Sequence, residues 1–344
     1  MDSVILSLAF FRLISSLNKI HLRGFIIMDK KEGSKIAIIG AGSVGAAVAF
    51  VMSIKQTCSE LVLIDVNTDK AQGEVLDISH GLPFLGHMNI HAGDYSDVKD
   101  CDIIIVTAGI PRKEGETRID LAVKNVKLAH IITDSIMQHY NGGIIMLVSN
   151  PCDVVTYKVT EWTGLPTGTI IGSGTNLDSA RFRYLLSQKL NVDVRNVHGY
   201  VLGEHGETQF PCWSRTHIAG MPVDEYAKLV GVDLSDEIKA EIADKTRLSG
   251  AEIIKLKRAT FNGIAVSATT LAESILNNEH TVRTVCTKLD GEYGKKDIAM
   301  NVPCILGGSG VEKILELPLN SAEMDLFNKS EDNIRAAIES VKDL

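Results

Sequence analysis

The sequence lacks any pair of cysteines at the spacing of a zinc or redox motif. Its six cysteines lie far apart along 344 residues, and no cysteine and histidine stand together at metal-ligand spacing. This scatter favours reduced thiols in a cytoplasmic protein over a disulfide framework. We therefore expect no metal site.

Local clusters of lysine and arginine are also missing. The chain carries 35 basic and 43 acidic residues, which gives a net charge of −8. This balance argues against a nucleic-acid surface. The apolar run at 4–14 is broken by Arg12 and is too short to span a membrane. It also lacks the basic start and small-residue cleavage site of a signal peptide, so we expect no membrane partner.

Residues 1–34 have no clear place in a fold. Met28 begins a segment, MDKKEGSKIAIIG, that would be a natural start for a nucleotide-binding protein. We therefore expect 1–34 to be an N-terminal extension that is disordered or not native. The alternative is an arm that packs on another subunit.

The chain is organised around residues 35–65, where an apolar run, a glycine turn, a segment of helical length and a second apolar run follow one another. Gly40 allows the tight turn, Gly42 lets the backbone approach a pyrophosphate, and Gly45 allows close packing of helix and strand. The free N–H groups of the helix would face the phosphates. Asp65 stands at about the 20-residue spacing of an acid that binds a ribose hydroxyl, which favours NAD over NADP. The alternative is a structural turn in another α/β fold.

Strands and helices alternate through the first half of the chain, which predicts a doubly wound parallel sheet. From about residue 176 the pattern changes to longer helices and an antiparallel pair of strands. We predict an α/β fold, with a Rossmann NAD-binding domain at 35–175 and an α+β substrate domain at 176–344. The predicted strands are 36–39, 61–64, 102–107, 144–148, 281–289 and 299–306, with a strand and a turn at 89–95, and the predicted helices are 69–81, 120–140, 177–190, 241–278 and 332–341.

Four side chains have the chemistry and position for a reaction at the strand ends. His205 lies in a glycine-bounded loop, and a neutral imidazole near pH 7 can accept a hydroxyl proton. Asp178 and Arg181 share a helix face, either as a local ion pair or as an orienting carboxylate and a carboxylate-binding guanidinium. Arg118, and with it Arg112, belongs either to a solvated loop or to a lid that brings a guanidinium to the substrate.

The chain resembles the L-lactate/malate dehydrogenase family, closest to its bacterial L-lactate branch, over nearly all of 35–344. The segments that carry the resemblance are GAGSVG, TAGIPRKEGETR, VSNPCD, GTNLDSARFRYLLS, NVHGYVLGEHGET and KRATFNGIA. The resemblance implies an NAD-dependent oxidoreductase that interconverts a 2-hydroxy and a 2-oxo acid. It also implies a cytoplasmic homotetramer with a role in glycolysis and fermentation.

The resemblance also implies a role for each site residue. His205 would be the acid/base, Asp178 its partner, Arg181 the ligand of the substrate carboxylate, and Arg118 the group that polarises the reacting oxygen. Asn150 and Thr260 would contact the substrate. The NAD site would be lined by Gly40, Gly42, Val44, Gly45, Asp65, Lys70, Tyr95, Gly109, Ile110, Val148, Ser149, Asn150 and Ser173.

Arg183 and His198 match an anion site of allosteric bacterial members, where they bind fructose 1,6-bisphosphate across a subunit interface. The alternative is an arginine and a histidine in an ordinary interface.

Arg112 departs from the lactate pattern, because lactate-specific members usually carry Gln at this substrate-discriminating position and malate-specific members carry Arg. An arginine closed in with pyruvate would be a desolvated charge without a partner, whereas oxaloacetate offers it a second carboxylate. The other motifs favour the lactate branch, so we predict an L-lactate dehydrogenase, with malate dehydrogenase as the alternative. Asn262 replaces a bulky aromatic near Thr260, which allows a wider range of 2-oxo acids. A remote alternative is a non-catalytic NAD sensor.

Overall fold

The computed structural model describes residues 33–111 and 118–344, without the side chains of residues 118 and 119. Almost all of the predicted N-terminal extension, together with Arg112 and the side chain of Arg118, lies outside the described residues.

A sheet of nine strands forms the centre of the described chain, in the order β14-β13-β12-β6-β5-β4-β1-β2-β3. The six strands from β6 to β3 are parallel and follow the 3-2-1-4-5-6 order of a Rossmann fold, which confirms the predicted fold class. The strands are β1 (Lys35–Ile39), β2 (Glu60–Ile64), β3 (Asn89–Gly93), β4 (Ile103–Val106), β5 (Ile144–Leu147), β6 (Ile170–Gly172), β12 (Thr281–Asp290), β13 (Lys296–Gly307) and β14 (Gly310–Ile314).

The first five helices connect the parallel strands and carry the chain away from β6. They are α1 (Ser43–Lys55), α2 (Thr68–Gly81), α3 (Arg118–Met137), α4 (Cys152–Thr163) and α5 (Asn176–Leu190). Strand β1 shows how the sheet is covered on both faces, since Ile36 and Ile38 pack in the cluster that contains α1, while Ala37 and Ile39 pack in the cluster that contains α3. This alternation follows from the two-residue period of a strand.

The last three strands extend the same sheet in antiparallel fashion, with Cys286 of β12 opposite Gly172 of β6. The predicted antiparallel pair is thereby confirmed. The remaining helices are α6 (Val223–Leu229), α7 (Asp236–Lys257), α8 (Asn262–Leu276) and α9 (Ser321–Glu339). Short strands β7 (Val197–His198), β8 (Val201–Leu202), β9 (Phe210–Pro211), β10 (His217–Ile218) and β11 (Met221–Pro222) form two small sheets beside them.

The prediction of one helical segment at 241–278 is wrong. Helix α7 ends where Arg258 adopts a left-handed backbone with φ of 74°, and α8 begins at Asn262. The helical pattern continues on both sides of this break, so the periodicity of apolar residues did not reveal it. The break places Thr260 in a loop.

The closing helix begins earlier than predicted. A capping box at Asn320 and Glu323 starts α9 at Ser321. Within the described residues, no helix combines the length and the apolar character that a bilayer crossing needs.

Candidate active site

The glycine turn between β1 and α1 is shaped by two close backbone contacts. Gly40 has a φ of 110°, and a Cβ on it would lie 2.7 Å from the amide nitrogen of Ala108. A Cβ on Gly45 would lie 1.8 Å from the carbonyl oxygen of Gly40. Both positions therefore require glycine for the turn to pack against the sheet.

Gly42 differs from its two neighbours, because a Cβ built on it meets no atom within 4 Å. It is the N-cap of α1, and no side chain caps that helix end. Open space thus adjoins the free N–H groups and the positive dipole end of a helix. These features fit a pyrophosphate that approaches the backbone at Gly42.

Asp65 lies at the end of β2, and its carboxylate reaches the same turn. Oδ2 accepts a hydrogen bond from the amide of Ala41 at 2.6 Å, and Oδ1 accepts one from the amide of Asn67 at 2.8 Å. Burial, together with the nearby charge of Asp65, raises the pKa of Tyr95, so this phenol stays neutral near pH 7. A fixed carboxylate beside the glycine turn fits the ribose of a dinucleotide.

The loops that follow β4 and β5 are joined by Asn125, a buried residue of α3. Its Oδ1 accepts from the amide of Ile110 at 2.7 Å, and its Nδ2 donates to the carbonyls of Ile110 and Asn150 at 3.1 and 2.8 Å. The Ser149 hydroxyl donates to the carbonyl of Ala108 and joins the same two loops. Sequence reasoning missed Asn125, although a polar residue on the apolar face of α3 was a usable signal.

His205, Asp178 and Arg181 meet where α5 begins. The imidazole Nδ1 of His205 lies 2.9 Å from Oδ2 of Asp178, and Nη1 of Arg181 lies 2.9 Å from Oδ1 of the same carboxylate. Because an ionised carboxylate only accepts hydrogen bonds, Nδ1 carries the proton in this pair. The predicted local ion pair of Asp178 and Arg181 is therefore present, and the same aspartate contacts the histidine, whereas binding of a substrate carboxylate by Arg181 stays a prediction.

The three charged groups tune one another. Burial alone would lower the pKa of His205, but the Asp178 carboxylate outweighs it and the pKa is raised above its usual value of 6.5. Burial alone would raise the pKa of Asp178, but His205 and Arg181 outweigh it, and the pKa is lowered. Asp178 is 2% exposed and His205 26% exposed, so the imidazole keeps one accessible edge. The pair is thus arranged to hold and release one proton.

Hydrogen bonds to two carboxylates hold the loop that carries His205. The carboxylate of Glu204 accepts hydrogen bonds from the amide and the hydroxyl of Thr208. The amide of His205 donates to the buried carboxylate of Asp153 at 2.8 Å. Sequence reasoning assigned no role to Asp153, although a carboxylate in an otherwise apolar helix start was a signal for one.

Comparison with known protein families identifies the family of this chain. Residues 34–172 match the model of the lactate/malate dehydrogenase NAD binding domain, and residues 175–344 match that of the lactate/malate dehydrogenase alpha/beta C-terminal domain.

The chain belongs to the lactate/malate dehydrogenase family.

Individual relatives agree with the family models. The chain is 44% identical to an L-lactate dehydrogenase of Thermoanaerobacterium saccharolyticum, over 86% of this chain and 96% of the relative. It is 41% identical to an L-lactate dehydrogenase of Acetivibrio thermocellus, over 91% and 99%. The described fold is similar to the crystal structure of the minor L-lactate dehydrogenase of Enterococcus mundtii, with a TM-score of 0.87, 38% identity and coverage of 90% and 98%.

A second solved structure is similar in sequence as well as in fold. The L-lactate dehydrogenase of Clostridium thermocellum is 50% identical, with a TM-score of 0.79 and coverage of 90% of this chain and 99% of that chain. These matches confirm the predicted family and cofactor: the protein is an NAD-dependent oxidoreductase that acts on a hydroxy acid.

The other predicted NAD-site residues of this dehydrogenase lie along the carboxyl ends of the strands. Val44 is in the first turn of α1, Lys70 is exposed on α2, and Ser173 follows β6, where its amide donates to the carbonyl of Leu147. Gly109 and Ile110 follow β4, and Val148, Ser149 and Asn150 follow β5. Their contribution to cofactor binding stays a prediction.

Three further predicted residues of the enzyme make no hydrogen bond to His205 or Asp178 among the described residues. Thr260 is half-buried in the loop between α7 and α8. Arg183 lies on α5, where burial and the nearby charge of Arg283 lower its pKa and its Nε donates to the carbonyl of Ser179. His198 is exposed on β7, a strand that packs against α5.

Neither the cysteines nor other potential metal ligands form a metal-binding cluster among the described residues. All six cysteines lie within the described part of the chain, and each is buried. A search of 33–111 and 118–344 finds no group of three or more His, Cys, Asp or Glu side chains that could hold a metal ion.

Proposed function

We propose that this protein is an L-lactate dehydrogenase that interconverts (S)-lactate and pyruvate. The observation that carries the proposal is the contact of His205 with Asp178 and of Asp178 with Arg181, in a family member whose glycine turn fits a dinucleotide. NAD, when bound, supplies the hydride acceptor, and NADH the hydride donor.

His205 moves the proton. Its Nδ1 is held by Asp178, and Nε2 has no hydrogen-bond partner among the described residues, so Nε2 is the nitrogen that serves the substrate. The imidazolium gives its proton to the ketone oxygen of pyruvate during reduction, and the neutral ring takes the hydroxyl proton of lactate during oxidation. Asp178 orients the ring and favours the charged form.

Arg181 binds the substrate carboxylate. Its Nη1 is held by Asp178, whereas Nη2 is unpaired within the described chain, so the guanidinium is oriented and keeps donors for a second anion. We assign Arg118 to polarising the reacting oxygen and Asn150 and Thr260 to contacts with the substrate. These assignments come from the family resemblance.

Malate dehydrogenase is the second candidate, because Arg112 would pair with the second carboxylate of oxaloacetate. The test is NADH oxidation by the purified protein with pyruvate and oxaloacetate in parallel. We expect the larger kcat/KM with pyruvate, and a tenfold preference for oxaloacetate would instead make the enzyme a malate dehydrogenase.

Matched variants locate the cause of that preference. Arg112→Gln should lower kcat/KM with oxaloacetate and leave or raise kcat/KM with pyruvate. Lys113→Gln, one residue away, should leave the ratio of the two kcat/KM values unchanged. If both variants keep the wild-type ratio, Arg112 does not set the specificity.

A non-catalytic NAD sensor would give a different result. It would bind NADH stoichiometrically but oxidise it with no 2-oxo acid. The control is His205→Asn, which we expect to bind NADH normally while its turnover falls by a factor on the order of 10² or more. Near-normal turnover of this variant would remove His205 from the mechanism.

We further propose a cytoplasmic homotetramer that acts in glycolysis and fermentation, with domains at 35–175 and 176–344. Arg183 and His198 would bind fructose 1,6-bisphosphate across a subunit interface. Assays with and without this effector test the last point, since Arg183→Ala should abolish activation and leave the basal rate unchanged. Equal activation of variant and wild type would assign Arg183 to an ordinary interface.

A further inference from the structure

Asp153 is a buried carboxylate that the proposed mechanism does not use. It lies in the first turn of α4, directly after the loop at Asn150, and it is 4% exposed. Burial of an ionised carboxylate is costly unless its oxygens are paired. We therefore examined which groups pair with the oxygens of the buried Asp153 carboxylate.

Neither oxygen of Asp153 bonds to an N–H group of its own helix, in the part of the chain that the structure describes. Oδ2 accepts from the amide of His205 at 2.8 Å, and Oδ1 accepts from Nδ2 of Asn301 at 2.7 Å. Capping of α4 thus does not explain the residue. Both bonds reach instead to segments that hold the active site.

Asn301, on β13, extends this connection in two directions. Its Nδ2 also donates to the carbonyl of Gly203 at 2.9 Å, and its Oδ1 accepts from the amide of Thr175 at 3.0 Å. Gly203 belongs to the loop of His205, and Thr175 is the N-cap of α5, the helix that carries Asp178. The Asp153–Asn301 pair therefore ties the histidine loop and the aspartate helix to the same two side chains.

Charge adds a second effect. Burial raises the pKa of Asp153 to about 6, against the opposing effect of His205, so its carboxylate is ionised near neutral pH. The charged and titratable groups around the His205–Asp153 contact are Asp178, Arg181, Glu204, Cys152 and Cys286. The thiols are neutral because burial raises the pKa of each. The negative charge of Asp153 thus adds to that of Asp178 in favouring the imidazolium.

We propose that Asp153 is a positioning residue for proton transfer: it anchors the backbone of the His205 loop and supplies a second carboxylate that favours the protonated imidazole. This rests on the proposed function of His205. The two effects are separable, because the hydrogen bond needs an acceptor and the electrostatic effect needs a charge.

The first variants remove the charge. Asp153→Asn keeps the volume and an oxygen acceptor for the His205 amide, and Asp153→Ser is a smaller neutral replacement. In both we expect the midpoint of the pH profile of kcat/KM for pyruvate to move to lower pH by about one unit. This makes the rate about tenfold lower at pH values above both midpoints and leaves it close to that of the wild type at pH values below both.

A further variant keeps the charge and the bond from the His205 amide to Asp153 but removes the link through Asn301 to Gly203 and Thr175. Asn301→Ser should lower kcat without moving the midpoint. Asp134→Asn is the matched control, because Asp134 is an exposed carboxylate that pairs with a different histidine, His130, and we expect wild-type kinetics from it. NADH titration and thermal melting of each variant establish that it is folded.

Several outcomes would overturn the proposal. A folded Asp153 variant with the wild-type midpoint, or with a rate lowered equally at every pH, shows that the charge plays no part. If neither Asp153 variant folds, Asn301→Ser decides, since a wild-type kcat in that variant shows that the link from Asp153 through Asn301 to the histidine loop does not position His205, which overturns the anchoring role. Absence of turnover in the wild type itself would reject the proposed function, which is a distinct result.

Discussion

The reactivity of His205 is set by the residue that holds its other ring nitrogen. Asp178 fixes Nδ1 as the protonated nitrogen, which in the proposed mechanism leaves Nε2 for the substrate. Because the aspartate is 2% exposed, water screens its charge weakly, and the pair interacts more strongly than a surface ion pair would.

This contact predicts opposite pH dependences for the two directions of the reaction. The pKa of His205 is raised above 6.5, so the imidazolium persists above that pH. Pyruvate reduction uses the imidazolium, and its kcat/KM should fall as pH rises through the pKa of His205. Lactate oxidation uses the neutral ring, and its kcat/KM should rise through the same midpoint.

The measurement is kcat/KM from pH 5 to 9 in both directions, for the wild type and for Asp178→Asn. The variant should show a lower midpoint, because the neutral amide no longer favours the imidazolium. An unchanged midpoint would mean that Asp178 does not act on the titrating group.

A second prediction at the same scale concerns Arg181. Replacement by leucine removes the charged donors for the substrate carboxylate, so KM for pyruvate should rise roughly 10- to 100-fold, as expected for hydrogen bonds to a charged group. Arg195→Leu is the control, since Arg195 is exposed and pairs only with Asp193 among the described residues. An unchanged KM in Arg181→Leu would count against the assigned role.

Two glycines of the same turn have different surroundings, so we expect one to matter for stability and the other for cofactor binding. Gly45 is required by contact with the carbonyl of Gly40, whereas Gly42 borders open space. The position of each glycine in the GAGSVG motif predicts these different roles, and the surroundings of both residues fit them.

Alanine at each position should therefore give different results. Gly45→Ala forces a Cβ against the backbone and should lower stability by about 1–3 kcal/mol, seen as a lower Tm without cofactor. Gly42→Ala should leave the Tm unchanged, because its φ of −72° suits alanine, but weaken NADH binding roughly tenfold. Equal NADH affinity of Gly42→Ala and wild type would place the pyrophosphate elsewhere.

Element boundaries were predictable where the chain chemistry marks them. The apolar runs of β1, β2, β4 and β5 are buried strands, as predicted. Strand β6 was missed because it has only three residues, too few for a pattern to show. The break at Arg258 was missed because no glycine or proline marks it.

Two exposed apolar side chains on α1 form a candidate surface for the proposed subunit contact. Phe50 and Ile54 are one helical turn apart on α1 and therefore share a face, and Phe50 is 51% exposed. Val266 on α8, which packs against α1, is also exposed. Burial of such a face in a subunit contact would stabilise an oligomer.

We predict that Phe50→Glu lowers the molecular mass measured by light scattering at micromolar protein concentration. A buried charge without a partner would oppose association through this face. The control is Ile131→Glu on α3, where the replaced side chain is 65% exposed. If Phe50→Glu and Ile131→Glu both have the mass of the wild type, the α1 face is not part of the interface.

Local chemistry was sufficient to predict the Rossmann half of the fold. A buried parallel strand, a glycine turn and a helix start each depend on residues close together in the chain, so each leaves a pattern that is legible without coordinates. The family motifs likewise pointed to His205, Asp178 and Arg181 as candidates.

The contact of His205 with Asp178 was predicted from the family resemblance, but only the tertiary structure showed that Asp153 and Asn301 join this site. Asp153, Asp178, His205 and Asn301 come from α4, α5, a loop and β13, and they meet because the antiparallel strands continue the parallel sheet. Contact between residues tens of positions apart depends on how the elements pack, and no local pattern records it. The sequence therefore determined the main elements of the Rossmann half and the candidate proton carrier, His205. The packing determined that a second carboxylate, Asp153, contacts the backbone of His205.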